Sequence, residues 1–298
     1  MSRVTLISRN AYAMAANEAN LSRASRLQEQ LASGKRVEVM SDDPVAARRA
    51  LALRVERFQG QSHLANIDRA TAALDATDVA LEQMAQVLAS AKRIAVEGAN
   101  GTLDSASREA LAVSVEAHLN QLITLANSSH AGRSLFAGTA VDTAPFALSA
   151  DGSRVEYHGD QDQVALSIST TETSVINQNG QAYFQDRTDL FDALIRLRDA
   201  LRADDPTAVD ELIADVDAGQ ARLGTLQGEL GGRQQRLDLS RSVLESFQLQ
   251  LGALISQEVD TDLAATIQQL QAAQVALESG LNTSARILQS SLLDYLSG

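Results

Sequence analysis

Residues 212–254 read LIADVDAGQARLGTLQGELGGRQQRLDLSRSVLESFQLQLGAL. Stepping alternately by four and three from Leu212 lands on Val216, Gly219, Leu223, Leu226, Leu230, Arg233, Leu237, Ser240, Leu244, Phe247, Leu251 and Leu254. Only Gly219, Arg233 and Ser240 interrupt an apolar series, and a series this long predicts one extended helix with a coiled-coil-like seam. At ~1.5 Å per residue it spans on the order of 60–65 Å. Gly231-Gly232 predicts a weak point or bend in its middle. Upstream, Asp204-Asp205 before Pro206 is a start signal, an Asp cap followed by proline at the first helical position.

A second stripe, Leu263, Ile267, Leu270, Gln274, Leu277, Leu281, Ser284 and Leu288, does not continue the phase of the first. Residues 256–261 therefore read as a joint, with Asp260 or Thr261 as the cap of a last helix. The first half of the chain mirrors this plan. Asp42-Asp43-Pro44 is another helix start, and Ile67, Leu74, Leu81, Leu88 and Ala95 follow at strict seven-residue spacing. Gly98-Ala99-Asn100-Gly101 reads as a turn. Asp104 or Ser105 then caps a helix through Leu111, Val115, Leu119, Leu122 and Leu125, which returns antiparallel to the one before it.

The stripes stop near Gly132. Asp151-Gly152 between Phe146-Ala147-Leu148 and Val155-Glu156-Tyr157 is a hairpin signal, and Val164, Leu166 and Ile168 alternate as a half-buried strand does. The chain ends carry thinner stripes. Ile7, Met14 and Leu21 are seven apart, with Leu31 in the same seam, and Leu263, Ile267, Leu270, Leu277, Leu281, Leu288 and Leu292 face them from the other end. One narrow seam at ~25 cal/mol per Å² struggles against an ordering term of ~1–2 kcal/mol per residue. The ends are thus expected to be disordered in the free monomer and to fold on assembly.

The expected fold class is mainly α: long helical rods, a coiled coil formed by both chain ends, and a small β-rich insertion in the middle. The divisions are 1–40 and 257–298 as terminal assembly helices, 41–131 and 187–256 as the two rod halves, and 132–186 as the insertion. Composition agrees. Aromatics are 3% of 298 residues and Trp is absent, so buried area comes from the helix formers Ala and Leu. The net charge is -13, with ten basic and six acidic side chains in residues 1–60 (+4) and the remaining -17 beyond them. An acidic chain is a poor nucleic-acid binder. No stretch approaches the ~20 apolar residues of a membrane span, and no Sec-type apolar region opens the sequence.

Catalytic and metal patterns are missing. Ser33-Gly34-Lys35 lacks the earlier glycine of a phosphate loop and is followed by Arg36 rather than Ser or Thr. His63, His118, His130 and His158 have no metal-ligand spacing, and there is no Cys. Asp160-Gln161-Asp162 fails the calcium-loop pattern, and no Gly-x-Ser-x-Gly elbow exists. Neither an enzyme nor a cofactor or metal is expected.

Leu31-Ala32-Ser33-Gly34-Lys35-Arg36-Val37 followed by Ser41-Asp42-Asp43-Pro44-Val45-Ala46-Ala47 resembles the N-terminal signature of the flagellin superfamily. Further stretches resemble its hook–filament junction branch. They are the segment with Asn100 and Gly101, Asn127-Ser128 leading to Arg133-Ser134-Leu135-Phe136-Ala137-Gly138, Tyr157-His158-Gly159-Asp160, and Ser291-Leu292-Leu293-Asp294-Tyr295-Leu296. The resemblance covers essentially the whole chain. It implies an uncleaved subunit exported unfolded by the flagellar type III route to the extracellular flagellum. It also implies like subunits, a hook-side adapter protein and flagellin as neighbours, and an export chaperone on the C-terminal segment. Filament flagellin, and from another class a secreted coiled-coil adhesin or effector, are the alternative readings.

Overall fold

A computed structural model describes residues 6–296 except 141, 143, 178 and 187, with the side chains of 6–10, 287, 288 and 290–296 outside that description. The helices are α1 (Leu6–Ser33), α2 (Pro44–Gly98), α3 (Ser105–Ala126), α4 (Gly180–Phe184), α5 (Leu190–Arg202), α6 (Pro206–Val259) and α7 (Leu263–Leu296). Short strands lie between α3 and α4: β1 (Ser129–His130), β2 (Arg133–Ser134), β3 (Phe146–Leu148), β4 (Val155–Tyr157), β5 (Ala165–Ser167) and β6 (Thr173–Val175). The protein is mainly α with a small β region.

Helix starts follow the Asp signals. Asp43 Oδ1 accepts from the N–H groups of Val45 and Ala46, Asp205 Oδ1 from Thr207 and Ala208, and Asp104 Oδ1 from Ser107. Each satisfies donors that a first turn leaves unpaired. One expectation is corrected. The cap of α7 is Asp262, whose Oδ1 accepts from Ala265, while the Asp260 side chain accepts from Ser256 Oγ instead. The Gly231-Gly232 pair does not interrupt α6, which runs unbroken from Pro206 to Val259. Two glycines cost about 1 kcal/mol each, and the burial of Leu230 and Leu237 on either side outweighs that.

The residues divide into two compact units, one of 1–58 with 248–298, the other of 59–247, and α2 and α6 supply residues to both. In the 59–247 unit the seven-residue series Ile67, Leu74, Leu81, Leu88 and Ala95 is fully buried. Against it pack Val115, Leu119 and Leu122 of α3 and Leu212, Val216, Leu223, Leu226, Leu230 and Leu237 of α6. Helix α5 joins the same core through Leu190, Phe191, Leu194, Leu197 and Leu201. The break in the α6 stripe at Gly219 has a packing cause. A Cβ there would stand 2.8 Å from Leu190 and 3.3 Å from Leu88.

The strands form three separate antiparallel hairpins, β1–β2, β3–β4 and β5–β6. Ala131 and Gly132 both have positive φ (51° and 77°), as a two-residue turn matched to strand twist requires. Two-stranded hairpins are marginal alone, and these are anchored to the helices. Asn127, at the end of α3, donates from Nδ2 to Phe146 O and accepts at Oδ1 from Phe146 N, both at 2.8 Å. Buried Arg198 of α5 donates to the Gly152 carbonyl at the β3–β4 turn, 3.0 Å away. The chain has four Tyr and six Phe, ten aromatics in all. Six of them, Phe136, Phe146, Tyr157, Tyr183, Phe184 and Phe191, form one ring cluster beneath the hairpins.

Candidate assembly surfaces

In the unit of residues 1–58 and 248–298, α1 and α7 pair antiparallel. Ala24 and Leu27 pack against Ala273 and Leu270, while Asn17 Nδ2 donates to Ser284 Oγ at 3.0 Å. The seam follows from burial. On α1 it comprises Ala13, Asn17, Asn20, Ala24, Leu27 and Leu31, and on α7 Thr266, Leu270, Ala273, Leu277, Gly280 and Ser284. Both series step by four and three, the coiled-coil spacing. Small side chains let the helices approach. A Cβ on Gly280 would stand 2.1 Å from Asn17 Oδ1.

This corrects the phase of the expected stripe. Of the residues expected in the interface, Leu31, Leu270 and Leu277 lie in the seam. Met14 and Leu21 remain 64% and 56% exposed, and Ile267 and Leu281 remain 46% and 56% exposed. Each of these four follows a seam residue by one position: Ala13, Asn20, Thr266 and Gly280. In an antiparallel heptad pair such positions flank one side of the seam, so the four line a single apolar edge beside it. Leu263 is exposed at the first turn of α7. The side chains of Ile7, Leu288 and Leu292 fall outside the described residues.

At the base of the pair, the links α1–α2 and α6–α7 meet in a joint built from the signature residues. Gly34 ends α1 with φ at 69°, a backbone shape that suits glycine at a helix C-terminus. Ser33 Oγ accepts from Lys35 N at 3.3 Å, and the Lys35 backbone pairs with that of Asp260 as an isolated antiparallel β-bridge. Arg36 N and Val37 N both donate to Val259 O, at 2.7 and 3.1 Å, and Thr261 N donates back to Gly34 O at 3.0 Å. The Arg36 guanidinium reaches Glu258 O at 2.8 Å and Asp43 Oδ2 at 3.1 Å. Pro44 opens α2 directly after the Asp43 cap. Asp42 Oδ2 accepts from Glu38 N and Val39 N, each at 3.0 Å.

These bonds hold both carboxyls below the ordinary carboxylate range. For Asp42 the main cause is the Val39 N–H and then the Glu38 N–H; for Asp43 it is the Ala46 N–H and then the Arg36 side chain. Depressed folded values mean that the stability contribution is full above the unfolded value near 3.8 and is lost as pH falls through the folded values. We therefore expect the Asp42→Asn/Asp43→Asn double variant to melt below the unsubstituted chain at neutral pH, with the gap closing as pH is lowered beneath 4. Thermal unfolding followed by circular dichroism across that range measures it; a gap that does not change with pH would refute the assignment.

The other signature residues brace the 59–247 unit. Asn100 forms the α2–α3 turn, its Oδ1 accepting from Thr102 N and Oγ1 at 3.1 and 2.9 Å, and Gly101 lies beside it in open space. Arg133 closes the β1–β2 hairpin opposite His130. Phe136, Gly138, Tyr157 and Gly159 share one knot, in which Tyr157 Oη lies 3.0 Å from Phe136 O and 2.9 Å from Asp160 O. A Cβ at Gly159 would stand 2.3 Å from that hydroxyl, and one at Gly138 (φ 68°) would stand 2.6 Å from Asp160 O. Asp160 uses its carboxylate on Thr139 N and Oγ1 and on Asp162 N. The Thr139 hydroxyl is the main cause of its lowered pKa. The Ser291 and Leu292 side chains are outside the described residues. Sequence reasoning missed Arg108, which is buried and bonds Gly98 O, Asn100 O and Asp204. Its partner Asp204 has φ at 57°, and nothing local in the sequence links the two.

Among the described residues no group of three or more His, Asp or Glu side chains is placed to hold a metal, and no helix is long and apolar enough to cross a membrane. Residues 6–141 match the model of the bacterial flagellin N-terminal helical region. The chain is 33% identical over 164 residues to flagellar hook-associated protein 3 of Salmonella typhimurium, across 55% of this chain and 50% of that protein. It thus spans about half the length of that relative. It is 28% identical over 276 residues to flagellar hook-associated protein 3 of Escherichia coli, across 84% of this chain and 86% of that protein. The fold is shared with the crystal structure of flagellar hook-associated protein 3 from Legionella pneumophila, at a TM-score of 0.64 and 15% identity, over 69% of this chain and 98% of that one. The match to the flagellin N-terminal helical region over residues 6–141, and a similarity to flagellar hook-associated protein 3 that continues through the later helices, are what this chain shares with known proteins.

Proposed function

We propose that this chain is a structural subunit of the bacterial flagellum, seated at the junction between hook and filament, with a mechanical rather than catalytic role. The observation that carries this reading is the α1–α7 pair. Its seam is closed within the chain, yet Met14, Leu21, Ile267 and Leu281 leave an apolar edge open along one side. Such an edge is the natural contact for another copy, and contacts between different patches on successive copies extend a tube instead of closing a small ring. Segments 1–40 and 257–298 are the assembly element in this reading. Segments 41–131 and 187–256 carry it, and 132–186 is the outward insertion. Ile7, Leu288 and Leu292 continue the apolar pattern toward the chain ends. The remaining neighbours are a hook-side adapter protein and flagellin. An export chaperone holds the α7 segment while the unfolded chain passes through the flagellar type III route. The acidic balance of -13 argues against nucleic acid as a partner.

Deleting the gene in the source bacterium should leave hooks in place while flagellin is shed as monomer, and the full-length chain supplied in trans should restore filaments. Normal filaments in the deletion strain would refute the junction assignment. Seeded growth of long filaments from the purified chain alone would show it to be a filament flagellin.

A further inference from the structure

We propose that Asn100 is a site of spontaneous covalent modification, converting to isoaspartate through attack of the Gly101 nitrogen on its side-chain amide. The sequence contains two Asn-Gly pairs, Asn100-Gly101 and Asn179-Gly180. Asparagine is a thermolabile residue, and a following glycine has no side chain to shield the attacking nitrogen. The fold treats the two pairs differently. Asn100 and Gly101 are exposed in the α2–α3 turn, and a Cβ on Gly101 would meet nothing within 4 Å. The Gly101 N–H has no hydrogen-bond partner among the described residues. Gly180, by contrast, is buried at the start of α4. Its N–H donates to Phe136 O at 2.9 Å, and a Cβ there would stand 2.6 Å from that oxygen. Its nitrogen is therefore engaged and enclosed.

The neighbours of Asn100 favour the reaction. Asn100 Oδ1 accepts from Thr102 N at 3.1 Å and from Thr102 Oγ1 at 2.9 Å. Attack at Cγ puts negative charge on this oxygen, so both donors already stand where charge develops. The Asn100 carbonyl accepts from Arg108 Nη2 at 2.9 Å and from Leu103 N at 3.1 Å. The C=O and N–H of one trans peptide point in opposite directions. A carbonyl turned in toward buried Arg108 thus turns the Gly101 N–H out to water, where hydroxide takes its proton. The nitrogen bonds to Asn100 Cγ, the Cγ–Nδ2 bond breaks, and Nδ2 leaves as ammonia with a proton returned by water. Water then opens the cyclic imide. Breaking the bond from Asn100 C to Gly101 N gives isoaspartate, and breaking the one from Cγ gives aspartate. In isoaspartate the former carbonyl is a carboxylate beside the Arg108 guanidinium, a charged pair where a neutral acceptor stood. Each event adds one negative charge to the net -13. Ammonia is lost, so the change accumulates with the age of the molecule.

The test incubates the purified full-length chain in mildly alkaline buffer and maps its peptides by mass spectrometry. Isoaspartate is scored by enzymatic methylation from S-adenosylmethionine. Asn100 should convert while Asn179 stays intact, and in guanidinium chloride both should convert. Thr102→Ala should slow Asn100 about two- to tenfold in the folded chain, the loss of one neutral hydrogen bond, and should have no effect in denaturant. Thr102→Ser keeps the hydroxyl and should restore the rate. Equal conversion of the two pairs in the folded chain, an intact Asn100, or aspartate formed without isoaspartate would overturn the proposal. An unchanged rate in Thr102→Ala would overturn the part given to its hydroxyl. The measurement needs no assembly, so it stands apart from the junction assignment, which is decided in cells.

Discussion

Replacing Phe146 with alanine is expected to lower the stability of the 59–247 unit by about 3–5 kcal/mol, the range for removing a buried aromatic ring. Phe146 is fully buried, with ring centroids 5.1 Å from Tyr157, 5.8 Å from Phe184 and 5.1 Å from Phe191. One side chain thereby joins the β3–β4 hairpin to α4 and α5. Its surroundings cannot easily collapse into the gap. Gly180 lies so close that a Cβ would stand 2.7 Å from the ring and 2.6 Å from Phe136 O. The Phe146 backbone is in turn held on both sides by Asn127. Urea unfolding followed by circular dichroism should show the midpoint falling sharply, while Phe247→Ala, at a ring 43% exposed, should move it little. Comparable shifts for the two would mean that the aromatic cluster does not hold the β region to the helices.

How much of this was legible depended on how far apart the interacting residues lie. The series from Ile67 to Ala95 announces its burial because five large or fitting apolar residues recur at one period over four heptads, and a period survives without knowledge of the partner. Helix starts at Asp43, Asp104 and Asp205 were readable for the same reason, since a cap acts two or three residues away. The short α5 was not separated from its neighbours, although Leu190, Leu194, Leu197 and Leu201 carry a helical period. At the chain ends the apolar pattern marks the edge beside the α1–α7 seam and not the seam itself. Sequence reading follows the largest hydrophobic residues, and these are Ile7, Met14 and Leu21. The observed seam selects small size, so Ala13, Asn17, Asn20 and Ala24 fill it and the larger residues stand beside it. The spacing of the buried set was present in the sequence, but only closeness of the two backbones gives alanine and glycine priority. The joint was legible as a signature and not as a mechanism. Lys35 and Asp260, or Arg36 and Glu258, are brought together from opposite ends of the chain, and no local rule connects them.

The offset between stripe and seam separates two roles, and a pair of substitutions distinguishes them. Met14→Asp/Leu281→Asp should leave α1 and α7 paired, because neither residue is in the seam. It should nevertheless abolish incorporation into the flagellum, because two carboxylates would be buried in an apolar contact without partners, a loss of several kcal/mol. Ala24→Asp, by contrast, places a charge within the seam itself and should break the pair first and assembly as a consequence. Closure of the pair is measured in the purified chain by hydrogen exchange over residues 11–33 and 263–286, with incorporation scored by filament retention in the deletion strain. If the edge variant assembled normally, Met14 and Leu281 would be ordinary exposed residues and the subunit contact would lie elsewhere. If instead it lost the pair as well as assembly, edge and seam would be one surface, and the antiparallel register that places them on separate positions would be wrong. The edge variant is the more telling of the two, since only it can fail in assembly while every intramolecular contact of the terminal pair is intact.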